Sequence, residues 1–179
     1  MTGKAEDQRQ VKPDPLHPKL VNGSFEEITG TAGEPVGWYY IRQMKVVEDK
    51  TAPDGQHYVT FTNSEPGRGC RALQGFAIDG RKVHEIELSC KVRGKDLRKG
   101  PTADSLPAIS VTYYSENRAI LGMEVISNWP ADFDWREAKR RFKVPGGTRE
   151  AIIHIGLFGA TGELSFDDVQ LHAIEPGKK

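Results

Sequence analysis

Carboxylates stand at unusual places near both ends of this chain. Near the start is Leu20-Val21-Asn22-Gly23-Ser24-Phe25-Glu26-Glu27, and near the end Gly162-Glu163-Leu164-Ser165-Phe166-Asp167-Asp168-Val169-Gln170-Leu171. Both segments read as short apolar strands that carry Asp or Glu where a half-buried strand normally carries Ser, Thr or Lys. Laid side by side, they would bring Glu26 against Asp167 or Asp168. Carboxylates at close range repel unless a proton or a cation compensates them. A hard cation such as calcium, held by carboxylate and backbone oxygens, is one compensation. Surface pairing with Lys or Arg is the other.

The elements that must position these groups are strands. Val59 and Phe61 alternate with Tyr58, Thr60 and Thr62. Ile109, Val111 and Tyr113 alternate with Ser110, Thr112 and Tyr114. Leu121, Met123 and Val125 alternate with Gly122, Glu124 and Ile126. Ala138, Phe142 and Val144 alternate with Glu137, Lys139, Arg141 and Lys143. Period-two patterning in short runs, punctuated by Gly, Pro, Asn and Asp, predicts an antiparallel sandwich or barrel. The run Ala151 to Phe158 is apolar on both faces, which predicts a central strand with its second face covered. Arg140 shares the parity of Ala138 and Phe142. It therefore finds a carboxylate in the core, marks the end of the buried part, or reaches a groove.

At 179 residues the chain suits one domain with a sizeable core. Its 25 basic and 25 acidic residues give a formal net charge of zero, against a nucleic-acid or membrane-surface binder. No apolar run approaches the ~20 residues of a membrane helix. Residues 1–19, with Pro13, Pro15 and Pro18, read as a disordered or extended lead-in, and residues 175–179 as a C-terminal tail. Cys70–Ile78 and His84–Val92 read as a hairpin around Asp79-Gly80-Arg81-Lys82. With a three-residue loop Cys70 faces Cys90; with a five-residue loop they lie diagonally, ~7–8 Å apart and beyond an unstrained bridge. A disulfide and two buried thiols both remain open.

Taken in order, Asn22-Gly23-Ser24-Phe25-Glu26, Gly37-Trp38, Asp54-Gly55-Gln56-His57-Tyr58, Trp135 before a strand ending Val144-Pro145, and Phe166-Asp167-Asp168-Val169-Gln170-Leu171 resemble carbohydrate-binding modules of families 4 and 9. The resemblance covers residues 20–174. It implies an all-β, two-sheet antiparallel jelly roll of the galactose-binding-domain-like group, with about eight to ten strands. It implies a structural calcium held by Glu26, Asp167, Asp54 and the carbonyls of Ser24 and His57, stabilising rather than catalytic. A secreted, periplasmic or cell-surface protein is implied too, its signal peptide removed, appended to or co-secreted with a glycan-active enzyme.

Sugars offer CH faces that stack on aromatic rings, and hydroxyls that pair with Arg, Asn, Gln, Asp and Glu. Tyr39-Tyr40 with Arg42 and Gln43 fit that chemistry, although alternation sends one of the two tyrosines to the core. Tyr114 alternates outward with Ser110 and Thr112. Trp129 stands in a loop beside Asn128 and Asp132, where a tryptophan has least reason to pack. His154 and Phe158 would floor the groove. Tyr40, Arg42, Tyr114, Trp129 and His154 are therefore the candidate ligand-binding residues for a polysaccharide or oligosaccharide. The chain contains no G-x-S-x-G and no H-E-x-x-H, and its five histidines are scattered. This points to a non-catalytic binder. A protein-interaction or adhesion sandwich, predicting a large apolar patch, stays as an alternative. So does a sandwich-fold glycoside hydrolase or polysaccharide lyase, predicting close carboxylates in the groove.

Overall fold

A computed structural model describes residues 12–177. In chain order the strands are β1 (Tyr39–Arg42), β2 (Met44–Glu48), β3 (His57–Asn63), β4 (Arg71–Ala77), β5 (Glu85–Arg98), β6 (Ala108–Tyr114), β7 (Ile120–Ile126), β8 (Phe133–Lys143), β9 (Glu150–Gly156) and β10 (Thr161–Ala173). They form two five-stranded sheets, ordered β1-β4-β9-β6-β7 and β2-β3-β10-β5-β8. Every ladder is antiparallel. The fold is thus the all-β antiparallel sandwich that the alternation predicts, and the two-sheet jelly roll that the resemblance implies. Among the described residues no helix is long and apolar enough to cross a membrane.

The core is the sum of the inward halves of these alternations. The first sheet contributes Ala72, Phe76, Ile109, Val111, Tyr113, Ile153 and Ile155, and the second Val59, Phe61, Ile86, Leu88, Val92, Leu164 and Phe166, all buried. Each buried Val, Leu, Ile or Phe contributes roughly 1.5–3 kcal/mol. A one-residue slip would turn a whole strand's share outward, so the register is strongly specified. The two-sided apolar run is β9, which lies between β4 and β6.

Bulges break the alternation where the chain needs it. In β10 the register against β5 shifts between Asp167 and Gln170, with Asp168 at φ 48°. Leu164 and Phe166 before the bulge, and Val169 and Leu171 after it, all reach the core. In β1 the register against β4 shifts between Tyr39 and Arg42, with Tyr40 at φ 51°. Neither tyrosine is therefore in the core: Tyr39 is 61% and Tyr40 75% exposed.

The expected hairpin between the two cysteine-bearing segments does not form. β4 lies in the first sheet and β5 in the second, so the Asp79–Lys82 turn crosses between sheets. Cys70 and Cys90 are both free and buried. The N-terminal motif is likewise no strand. Residues 21–25 turn, with Asn22 and Phe25 at positive φ and the Phe25 amide donating to the Asn22 carbonyl at 3.2 Å. Arg140 is exposed and has no carboxylate in the core. It reaches from the edge strand β8 to the edge strand β7, donating to the Val125 carbonyl at 2.9 Å. Of the lead-in, residues 1–11 lie outside the described residues; further on, the Pro15 carbonyl accepts from the Asp79 amide and Pro18 is buried.

Burial pushes the Cys70 thiol up to about 11 and the Cys90 thiol up to about 12. A thiol reagent at neutral pH should label neither cysteine in the folded protein and both after denaturation. Reductant should leave the melting temperature unchanged. Failure to label the unfolded, unreduced chain would reveal a bridge after all.

Candidate functional site

Two carboxylates from opposite ends of the chain close on one loop, residues 49–56, between β2 and β3. Glu26 Oε1 accepts from the backbone N–H of Gln56 at 2.9 Å and of His57 at 2.8 Å, and its Oε2 meets His57 Nδ1 at 2.8 Å. Asp167 Oδ2 accepts from the backbone N–H of Asp54 at 2.8 Å, and Oδ1 from that of Asp168 at 2.7 Å. Gly55 sits between them at φ 60°, where a Cβ would lie 2.3 Å from Glu26 Oε1. Gly23 fits close against β10: a Cβ there would lie 1.8 Å from the Val169 carbonyl oxygen, and the Gly23 carbonyl accepts from the Val169 amide at 2.9 Å. Asn22 ties the turn to Glu27 and Val36 through its side-chain amide, and Phe25 enters the core 5.4 Å from the Trp38 ring.

The two carboxylates differ electrostatically. Burial pushes Glu26 up, but the His57 side chain and the His57 and Gln56 amides together hold it below its ordinary value. Burial lifts Asp167 to about 6, helped by the charges of Asp54 and Asp168 and opposed by its two backbone bonds. Asp167 is fully buried and pairs with no Lys, Arg or His side chain among the described residues. Of the residues expected to hold a metal, Asp54 meets Asp167 and His57 meets Glu26, but through the two amide N–H groups and the His57 ring rather than the Asp54 carboxylate and the His57 carbonyl; Ser24 lies in the adjoining turn. An all-oxygen set suits a hard cation. Among the described residues no three His, Cys, Asp or Glu side chains converge on one point, so a cation here would need backbone carbonyls as well.

The ligand-binding candidates divide between two places. Across the outer face of the first sheet, one row of directly opposed residues runs Tyr39, Leu73, His154, Ser110, Val125. The next row runs Gly75, Ile152, Thr112, Met123. Arg42 stands opposite Arg71, and Tyr114 opposite Glu150. Ser110 and Thr112 form a buried floor. His154 is half-buried, and burial, followed by the Arg71 charge, keeps its imidazole below the ordinary value. Thus Tyr40, Arg42, Tyr114 and His154 share one sheet. Trp129 does not. Its ring packs 6.2 Å from Phe133 and 6.1 Å from Phe166, against the core from the second sheet's side. Trp129 is half-buried in this position. Sequence reasoning missed Arg71 and Leu73, whose outward parity follows once Ala72 is placed in the core.

No family model matches the chain, and no curated protein matches it in sequence. Solved structures do. The enzymatically active domain of bacteriophage CBA120 tailspike protein 4 is similar at 14% identity and TM-score 0.59, over 87% of this chain and 21% of that one. The chain thus spans about a fifth of the tailspike domain's length. A family 16 carbohydrate-binding module is similar at 18% identity and TM-score 0.53, over 87% of this chain and 99% of that one. A cyclase from Fischerella sp. TAU in complex with 4-(1H-indol-3-yl)butan-2-one gives 19% and 0.53, over 89% and 98%. These are likenesses of fold, and they include carbohydrate-binding modules matched over nearly their whole length.

A raised folded pKa means that the native state holds the Asp167 proton more tightly than the unfolded chain does. The resulting stability is complete below the ordinary value of 3.8 and is lost as pH rises through about 6. In chelator-treated protein, Asp167→Asn should therefore gain on the parent by up to about 3 kcal/mol as pH rises from about 4 to about 7, read from denaturant midpoints. A pH-independent difference would contradict the assignment. Gly55→Ala should cost at least about 1 kcal/mol, because its backbone is left-handed and its Cβ strikes Glu26.

Proposed function

We propose that this chain is a non-catalytic carbohydrate-binding module of the family 4/9 type, binding a polysaccharide or oligosaccharide on the outer face of its first sheet. One observation carries the reading: the outer face bears exposed Tyr39 in one row with Leu73, His154 and buried Ser110, Arg42 opposite Arg71 beside it, the bulged and exposed Tyr40 at its edge, and Tyr114 further along β6. Rings of this kind supply flat area for sugar CH faces, and the polar groups fix hydroxyl positions. The fold likeness to a carbohydrate-binding module supports it.

Calcium in this proposal is held by Asp167, Asp54 and Glu26 with the carbonyls of Ser24 and His57. It would supply the positive charge that buried Asp167 lacks. The non-catalytic part of the reading is supported by where the perturbed carboxylates are spent. Glu26 holds a loop, Asp79 is drawn down to about 2 by Arg81, and Glu87 is drawn down by Lys139 and Arg141. The protein would act outside the cytoplasm, beside a glycan-active enzyme.

A second reading rests on the aliphatic side chains of the same face. Leu73, Ile152, Met123 and Val125 would suit a small apolar ligand as well as a sugar ring.

Affinity electrophoresis against soluble polysaccharides decides between them. The expected result is retardation by one polymer, weakened roughly tenfold by Tyr40→Ala and by Arg42→Ala. Calcium should raise the melting temperature of the parent and not of Asp167→Ala. No retardation by any polymer, with saturable uptake of an indole probe quenched by Leu73→Asp, would favour the apolar ligand. Depolymerisation in the gel would overturn the non-catalytic reading.

A further inference from the structure

We infer that the second sheet carries a separate site, centred on Arg93, for a neutral hydroxyl-rich ligand such as one or two residues of an uncharged sugar chain. It lies on a different sheet from the face proposed above and does not depend on that reading.

Arg93 points outward from β5, opposite Ser165 of β10. Its guanidinium lies 4.7 Å from the Trp135 ring centroid and 5.2 Å from that of Tyr58, and Nη2 donates to the Tyr58 hydroxyl at 3.0 Å. The two rings also meet edge to face at 5.2 Å. Most other arginines with a described partner are fixed by a carboxylate, as Arg81, Arg141 and Arg149 are. Arg93 is fixed by aromatic rings; Asp49, drawn down first by its Thr51 hydrogen bonds and least by the Arg93 charge, makes no ion pair with it. Its Nε and Nη1 donors therefore stay available on a side chain whose freedom is already lost. A ligand meeting such a group pays little ordering cost.

Beside it opens a shallow cavity of about 600 Å³, within the ~300–1,000 Å³ of small-molecule sites. Phe133 lines it, with the Arg136 guanidinium 4.2 Å from its ring centroid. That ring lies so close to β5 that a Cβ on Gly94 would sit 2.4 Å from its Cε1, so the glycine and the bulge at that point make the wall possible. Asp132 and Asp134 each give one oxygen to a backbone N–H, of Asp96 at 2.9 Å and of Trp135 at 2.7 Å, which leaves the second oxygen of each free. Lys95 and Glu163 face one another across β5 and β10.

Charge selects the ligand class. With the Arg136 guanidinium 4.2 Å over the Phe133 ring, three cations meet three carboxylates and the wall carries no net charge, which selects neither an anion nor a metal ion. A neutral polyol satisfies the polar groups at once: carboxylates accept from its hydroxyls, and Arg93 and Lys95 donate to them.

Amide chemical-shift mapping on the intact chain tests this. The probes are neutral hexasaccharides of glucose, xylose, mannose and galactose, with hexagalacturonate as the charged counterpart, each titrated into the millimolar range. At least one neutral probe should move the amides of Arg93, Gly94, Lys95, Asp134 and Glu163. Glu163→Ala and Lys95→Ala should each weaken that response roughly tenfold with the rest of the spectrum intact, and Tyr40→Ala should leave it unchanged. Movement with hexagalacturonate alone overturns the charge argument and the proposal. Movement confined to the first sheet overturns this site and leaves the function proposed above standing. No movement anywhere overturns both.

Discussion

Three backbone N–H groups of one surface loop are held by two carboxylates that the chain places more than a hundred residues apart. Glu26 takes the amides of Gln56 and His57, and Asp167 takes that of Asp54. Hydrogen bonds to a charged group contribute about 1.5–3 kcal/mol each. The loop gains a fixed shape, and the N-terminal turn gains a fixed position against β10. Phe25 can then fill the core beside Trp38, and Gly23 can lie against Val169. The cost falls on Asp167, whose charge is buried with two other aspartates near it. A junction that binds chain ends through a carboxylate in need of positive charge gives a cation something to stabilise.

The strands themselves were legible, because burying one face of a sheet imposes a period of two on the residues. The bulge at the doubled aspartate was not read: Phe166 and Val169 stand three apart, and both reach the core only because one extra residue is inserted between them. What period two could not tell was which strands pair. Strands β4 and β5 follow one another and carry matching faces, yet the chain between them crosses to the other sheet. The tyrosine pair was misjudged because left-handed backbone at Tyr40 resets the alternation, and Tyr40 has no side-chain signal for that conformation. Trp129 differs for another reason: a loop residue can pack against the core and stay half-buried.

The candidate site divides along the same line. Residues placed by motif, Glu26, Asp54, His57 and Asp167, do come together, because each motif is short and locally determined. Residues placed by chemical type alone depend on which strand lies beside which: Tyr40, Arg42, Tyr114 and His154 fall on the first sheet, and Trp129 lies apart from them. The register also sets Arg93 of β5 beside the rings of Tyr58 and Trp135, an arrangement spread over three strands that no local pattern announces.

One small bond has a colloidal consequence. Strand β7 ends its sheet, and Ile120 and Met123 are exposed along it. An open, apolar strand of that kind is a template on which another molecule can add a strand of its own. The Arg140 guanidinium already occupies the Val125 carbonyl, and it comes from a strand that also carries Arg136, Glu137, Lys139, Arg141 and Lys143. A neighbouring molecule seeking that part of the edge must first displace an arginine.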